Sequence, residues 1–72
     1  MKKIYAIEVD CANCANLCER AAAKIDGVLT ANINYMTQKM TIEFESDADE
    51  KKVLSAVLKA CRRIEPDFEI TL

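Results

Sequence analysis

Residues 3–27 read KIYAIEVDCANCANLCERAAAKIDG, and the spacing of their apolar positions changes partway along. Up to Val9 it has period two, with Tyr5, Ile7 and Val9 alternating with Ile4, Ala6 and Glu8. That alternation of β-formers predicts a strand over residues 3–9 with the Tyr5 face inward. From Cys14 onward the spacing is helical, placing Leu17, Cys18, Ala21, Ala22 and Ile25 on one stripe of a helix over residues 14–26. Asn13 is the predicted N-cap, and Gly27 is placed to end the helix in a left-handed conformation. Asp10-Cys11-Ala12-Asn13-Cys14 lies at the boundary, and two thiols three positions apart there can converge on one soft ion.

Beyond Gly27, Val28 leads into a second alternating run in which Ala31, Ile33 and Tyr35 share a face. Met36-Thr37-Gln38 reads as a turn, and Met40, Ile42 and Phe44 form the apolar face of a third strand. The polar break Ser46-Asp47-Ala48-Asp49 suits a helix start. A helix over residues 49–64 then aligns Val53, Leu54, Val57, Leu58, Cys61 and Ile64. Pro66 stops it, because the residue before a proline is pushed out of the helical region. Phe68, Ile70 and Leu72 make a short final strand.

The order βαββαβ, with one apolar face per strand and one apolar stripe per helix, predicts a single α+β domain over residues 1–72. Its architecture is ferredoxin-like, with two helices on one face of a four-stranded antiparallel sheet. Such a sheet alternates direction, so three connections gather at one end. These are residues 10–13, residues 36–38 and residues 61–67, and the paired thiols therefore have the other two as neighbours.

Composition removes several function classes. Ten Lys and Arg stand against twelve acids, with no long run of like charge, so no basic face for nucleic acid is expected. No apolar run approaches the ~20 residues that span a bilayer, and no direct membrane insertion is expected. The first five residues carry two lysines and no apolar h-region, which predicts a cytoplasmic chain without a secretory signal. In that reducing setting four cysteines are metal ligands, redox groups or small core residues rather than a disulfide framework. There is no histidine, so imidazole plays no part in the chemistry of these residues.

Cys14, in the first turn of a helix, is expected to be held towards thiolate by the helix dipole and exposed N–H groups. Two cysteines cannot close the four-coordinate shell of a structural zinc site, and a two-sulfur site leaves open positions from which an ion can pass to another protein. The Cys-X-X-Cys pattern also serves dithiol oxidoreductases, and the pattern by itself does not separate the two. No nucleophile and base pair is visible, so no catalysis is expected of these residues themselves.

With these residues in view, the chain resembles the heavy-metal-associated domain of copper chaperones and of metal-transporting P-type ATPase N-termini. That signature is Gly-Met-Thr-Cys-X-X-Cys, where this chain has Glu8-Val9-Asp10-Cys11-Ala12-Asn13-Cys14. Gly27-Val28 and residues 34–42 (NYMTQKMTI) extend the likeness over nearly the whole chain. The resemblance implies the βαββαβ fold, metal ligation by Cys11 and Cys14, and metal exchange with a partner. That partner is the transmembrane part of a metal-transporting ATPase or another metal-exchange domain. A free-standing Cu(I) chaperone is the alternative.

Three departures bear on the ion. Glu8 replaces the usual Gly, Val9 keeps an apolar plug where Met is usual, and Asp10 stands where copper-handling members have Thr. The Asp-Cys-X-X-Cys form resembles the zinc, cadmium and lead branch, and a carboxylate oxygen suits Zn(II) better than Cu(I). One soft ion is expected, Zn(II), Cd(II) or Pb(II) ahead of Cu(I), with Asp10 as auxiliary ligand. Cys61, near the end of the second helix, is a further auxiliary candidate. Cys18 shares an apolar stripe and is expected in the core, where a thiol acts as a small hydrophobe. Met40 alternates with core residues, Met36 is a lone turn methionine, and Phe68 is expected to pack near the loop.

Overall fold

The apolar alternations of the sequence become the inner face of one sheet. In the computed structural model, which describes residues 1–71, the elements are β1 (Lys2–Glu8), α1 (Ala12–Ala23), β2 (Val28–Asn34), β3 (Lys39–Phe44), α2 (Glu50–Ile64) and β4 (Glu69–Thr71). The strands lie in the order β2-β3-β1-β4 and every pairing is antiparallel. Tyr5 sits opposite Met40, Ile7 opposite Ile70 and Ile33 opposite Met40 on its other side. Both helices cover one face, as the patterning predicts. Leu72, placed by the sequence in the last strand, lies outside the described residues.

Tyr5, Ile7 and Val9 from β1 and its end meet Met40, Ile42 and Phe44 from β3 in the buried layer. Above them lie Val53, Leu54, Val57 and Cys61 of α2, and Phe68 closes the layer. Phe44, Phe68, Met40 and Ile42 are the largest fully enclosed side chains. Burying each contributes about 1.5–3 kcal/mol relative to exposure, so they supply much of the drive to fold in so short a chain. Ile4, on the opposite side of β1, is two-thirds exposed.

The first helix departs from its expected phase. It starts at Ala12 with Cys11 as N-cap, not after Asn13, and ends at Ala23, before Asp26. Its buried residues are Ala15, Cys18 and Ala22, while Leu17, expected on the stripe, is 40% exposed. The reason is steric: three small side chains at helical spacing let α1 lie close to the sheet and α2, and a leucine there would hold it off. Gly27 comes after the helix rather than capping it, at φ +93 in the turn into β2. A β-carbon at this position would meet Val53 Cγ2 at 2.8 Å and Ala48 Cβ at 3.2 Å, so the turn needs glycine for both conformation and space. The second helix matches its predicted span, with the Asp49 carboxylate accepting from the backbone N–H groups of Lys51 and Lys52.

Candidate metal centre

The three connections predicted to gather at one end of the sheet do meet, and hydrogen bonds tie them together. In the turn between β2 and β3, Gln38 accepts from Ile7 N–H on its carbonyl at 2.9 Å and from Val9 N–H on its side-chain oxygen at 2.8 Å. Its side-chain amide donates to the Tyr35 carbonyl at 2.8 Å. Gln38 does this from φ 54, a left-handed conformation that few side chains adopt without compensating bonds. Asn34 Oδ1 closes the same turn by accepting from Met36 and Thr37 N–H. Tyr35, expected to face inward from the second strand, lies past its end and is partly exposed; its hydroxyl donates to the Asp10 carbonyl at 3.1 Å.

The third connection supplies a residue that the sequence reading passed over. Glu65 caps the C-terminus of α2, and only 9% of it is exposed, which makes it the one buried charged residue among those described. Both of its carboxylate oxygens accept from the Asp10 N–H, at 3.1 and 3.3 Å. The segment 9–11 is thus held from two sides before any ion arrives. A signal was present in the sequence: Glu65 continues the stripe Val57, Cys61 at helical spacing, and a carboxylate on an apolar stripe calls for a partner.

Cys11 and Cys14 are both partly exposed, at the N-terminus of α1. The Cys14 N–H donates to Cys11 Sγ at 3.3 Å, and Ala15 N–H donates to the Cys11 carbonyl at 2.9 Å. Cys11 is therefore the capping sulfur. Donation by the Cys14 N–H, the Cys14 thiol and then the Asn13 N–H lowers its pKa below the ordinary thiol value. Cys14 moves the other way, to about 11, because its thiol gives a proton to Cys11 and both burial and the neighbouring charges of Cys11 and Glu65 disfavour a second anion. The lowering expected of the helix-start thiol thus falls on Cys11 and not on Cys14, a consequence of α1 starting earlier than predicted.

The other candidates are placed less favourably. Asp10 is exposed, and the bonds recorded for it run through its backbone. Cys61 is fully buried and faces Cys18 rather than the loop: each thiol donates to the other's backbone carbonyl, at 3.7 and 3.8 Å. Burial, followed by the neighbouring thiol, pushes the Cys61 pKa up, and burial raises that of Cys18. Among the described residues no three Cys, Asp or Glu side chains already converge on one point. Phe68, at 0% exposure, packs into the core layer.

Two partly exposed thiols three positions apart at a helix N-terminus, on a ferredoxin-like frame, define a soft-metal-binding module. The chain belongs to the heavy-metal-associated domain family, whose pattern spans residues 4–63, and it is a metal-binding domain of that kind. It is 38% identical over 57 residues to copper-transporting ATPase 2 of Rhizobium meliloti, a match that covers 78% of this chain and 7% of that protein's length. Among solved structures it is similar to the N-terminal domain of a potential copper-translocating P-type ATPase from Bacillus subtilis in its Cu(I)-loaded state. There the identity is 29% and the TM-score 0.73, with 99% of this chain and 84% of that one covered. The CopZ metallochaperone has the same fold, with TM-score 0.70 at 23% identity and coverage of 99% and 100%. No helix among the described residues is long and apolar enough to cross a membrane.

Proposed function

We propose that this domain takes up one soft metal ion between Cys11 and Cys14 and passes it on by ligand exchange, as a cytoplasmic part of a metal-transporting P-type ATPase. The observation that carries this reading is the pair itself, both thiols partly exposed at the N-terminus of α1 with the Cys14 N–H donating to Cys11 Sγ at 3.3 Å. Cys11 is the more readily ionised of the two, and an arriving cation displaces the thiol protons. With only two sulfurs committed, open positions remain on the ion for an incoming thiolate of a partner, which can bind before the first donors leave. The Gln38, Tyr35 and Glu65 contacts hold the loop backbone, so little ordering is needed at the moment of binding.

For the ion, the acidic surroundings of the thiols support Zn(II), Cd(II) or Pb(II), because Asp10 adjoins Cys11 and can add an oxygen donor. A Cu(I) reading is favoured by the relatives, which are named for copper. Anaerobic titration with Zn(II), Cd(II) and Cu(I), on the chain and on its Cys11→Ser/Cys14→Ser variant, tests the site. Stoichiometric binding lost in the variant is the expected result, and binding that survives it would sink the assignment. Asp10→Ala is expected to weaken Zn(II) and leave Cu(I) in place.

A further inference from the structure

Cys18 and Cys61 lie 43 positions apart in sequence and face each other across the contact between α1 and α2. Both are fully enclosed, away from the partly exposed pair at the metal centre. Each Sγ donates to the other residue's own backbone carbonyl, at 3.8 Å from Cys18 and 3.7 Å from Cys61. Each side chain therefore points at the other's backbone. The helices come this close because α1 buries only Ala15, Cys18 and Ala22, all small. A disulfide needs two backbones near each other with their side chains facing, and the reciprocal bonds supply that arrangement in the reduced chain. Filling the contact asks only for a small apolar side chain on each helix. It does not ask for two sulfurs in mutual register.

From this arrangement we infer that Cys18 and Cys61 are a redox latch, closing as a disulfide between α1 and α2 when the surroundings become oxidising. The oxidant is a low-molecular-weight disulfide, which reaches the pair when the helices part. One inner thiolate attacks it, forming a mixed disulfide and expelling one small thiolate. The other inner thiolate then attacks the protein sulfur of that mixed disulfide and expels the second. The protein loses two electrons and two protons, and the small disulfide becomes two thiols. Closing leaves no orphan on α2, because the Cys61 carbonyl still accepts from the Glu65 N–H at 2.9 Å. Cys18 lies one turn beyond Cys14, and Cys61 one turn before Glu65, whose carboxylate accepts from the Asp10 N–H. The latch thus ties together the two helices that hold the metal loop, and it uses neither site thiol.

Cys11→Ser/Cys14→Ser keeps only the inner thiols, so its redox behaviour is that of the latch alone. The variant is unfolded in urea to expose both sulfurs, then refolded in glutathione buffers of stepped disulfide-to-thiol ratio. A second set stays in urea. The equilibrium constant for closing the disulfide is expected to be about a hundredfold larger in the folded set, because the fold already holds the sulfurs together. Mass spectrometry is expected to find a monomer lighter by two hydrogens, with the peptides of Cys18 and Cys61 joined. Hydrogen exchange at the Asp10 amide is expected to slow in the closed chain. Equal constants in the two sets, a product linked between chains, or one still carrying glutathione would overturn the latch. An Asp10 amide that exchanges at its former rate would overturn the tie to the loop. Circular dichroism checks the fold of the variant. The parent chain, refolded in the same buffers and mapped by peptide, gives a second reading, in which any pairing of Cys18 or Cys61 other than with each other counts against the proposal.

Discussion

Cys11 and Cys14 make an instructive contrast with Cys18 and Cys61, because both pairs join identical side chains linked by hydrogen bonds involving sulfur. The first pair is partly exposed at the N-terminus of α1, with backbone N–H groups aimed at one sulfur. The second is sealed between α1 and α2 at 0% exposure, and each sulfur is satisfied as a donor by a carbonyl of the other helix. In the first setting N–H donors favour the anion, and in the second carbonyl acceptors and low polarity favour the neutral thiol. Location, not residue type, divides ligand from filler. Cys18 follows Cys14 by a single helical turn, so the change takes place within about 6 Å of helix axis.

The contrast breaks first if metal binding fails to follow it. Cys11→Ser/Cys14→Ser is expected to abolish stoichiometric binding of Zn(II) and Cu(I) with little change in the circular dichroism spectrum. Cys18→Ala/Cys61→Ala is expected to bind one ion as the parent chain does. Loss of the ion in the second variant, with its fold intact, would put the inner pair into the site and restore Cys61 to the place the sequence suggested for it.

Reactivity gives the next largest separation. Thiolate is the nucleophile, so at pH 8 Cys11, lowered by the Cys14 N–H, is expected to react with iodoacetamide ahead of Cys14, which is held at about 11. Cys18 and Cys61 are expected to react only when the chain opens, at a rate that tracks unfolding. Mass mapping of alkylated peptides over time checks the order Cys11, Cys14, then the inner pair. Equal labelling of Cys11 and Cys14 would mean that the cap geometry does not favour one sulfur.

How far the sequence carries the fold and the site follows from which signals are local. Alternation gave the strands directly, because Tyr5, Ile7, Met40, Ile42 and Phe44 each bury on the predicted face. The end of the sheet where the loop would meet its neighbours followed from counting strand directions. The phase of α1 did not follow, because an alanine-rich helix carries little contrast between its faces: Ala15 is buried and Ala23 exposed with the same side chain. The roles of Glu65, Gln38 and Tyr35 were hidden for another reason. Their partners lie 55, 29 and 25 positions away, and long-range pairs leave no periodicity to read. Asp10 drew attention because it adjoins Cys11 in sequence, whereas the buried carboxylate comes from the far end of the chain.

The inner pair can also be tested by its effect on stability. Replacing both Cys18 and Cys61 by alanine removes two enclosed sulfur atoms at a helix–helix contact. A cost of about 2–3 kcal/mol is expected from the small cavity and the lost contacts. A chain of this length has a total stability of only ~4–10 kcal/mol, so urea denaturation should show a clearly lower midpoint at an unchanged slope. A midpoint within error of the parent would mean that the helices close over the gap, and that the pair is replaceable filling.

The smallest effect tests whether the loop gives up stability for its ligand. Cys11 occupies the N-cap of α1, where its sulfur accepts the Cys14 N–H at 3.3 Å. Serine is a far commoner N-cap than cysteine, because its oxygen is a stronger acceptor at a shorter reach. In α2 the equivalent position is Asp49, a preferred cap that carries no ligand role. Cys11→Ser is therefore expected to raise the melting temperature of the chain without metal by about 2 °C while removing a ligand. The sign depends on pH. Because the folded-state pKa of Cys11 is lowered, its stabilising contribution is present above the unfolded thiol pKa and lost as pH falls through the folded value. The advantage of serine is thus larger at pH 6 than at pH 9, because a thiol is a poorer cap than a thiolate. It shrinks towards pH 9, where the thiolate becomes a charged acceptor for the same N–H. Melting curves at the two pH values measure both, and a variant less stable than the parent at pH 6 would show that this sulfur already serves α1 as well as oxygen can.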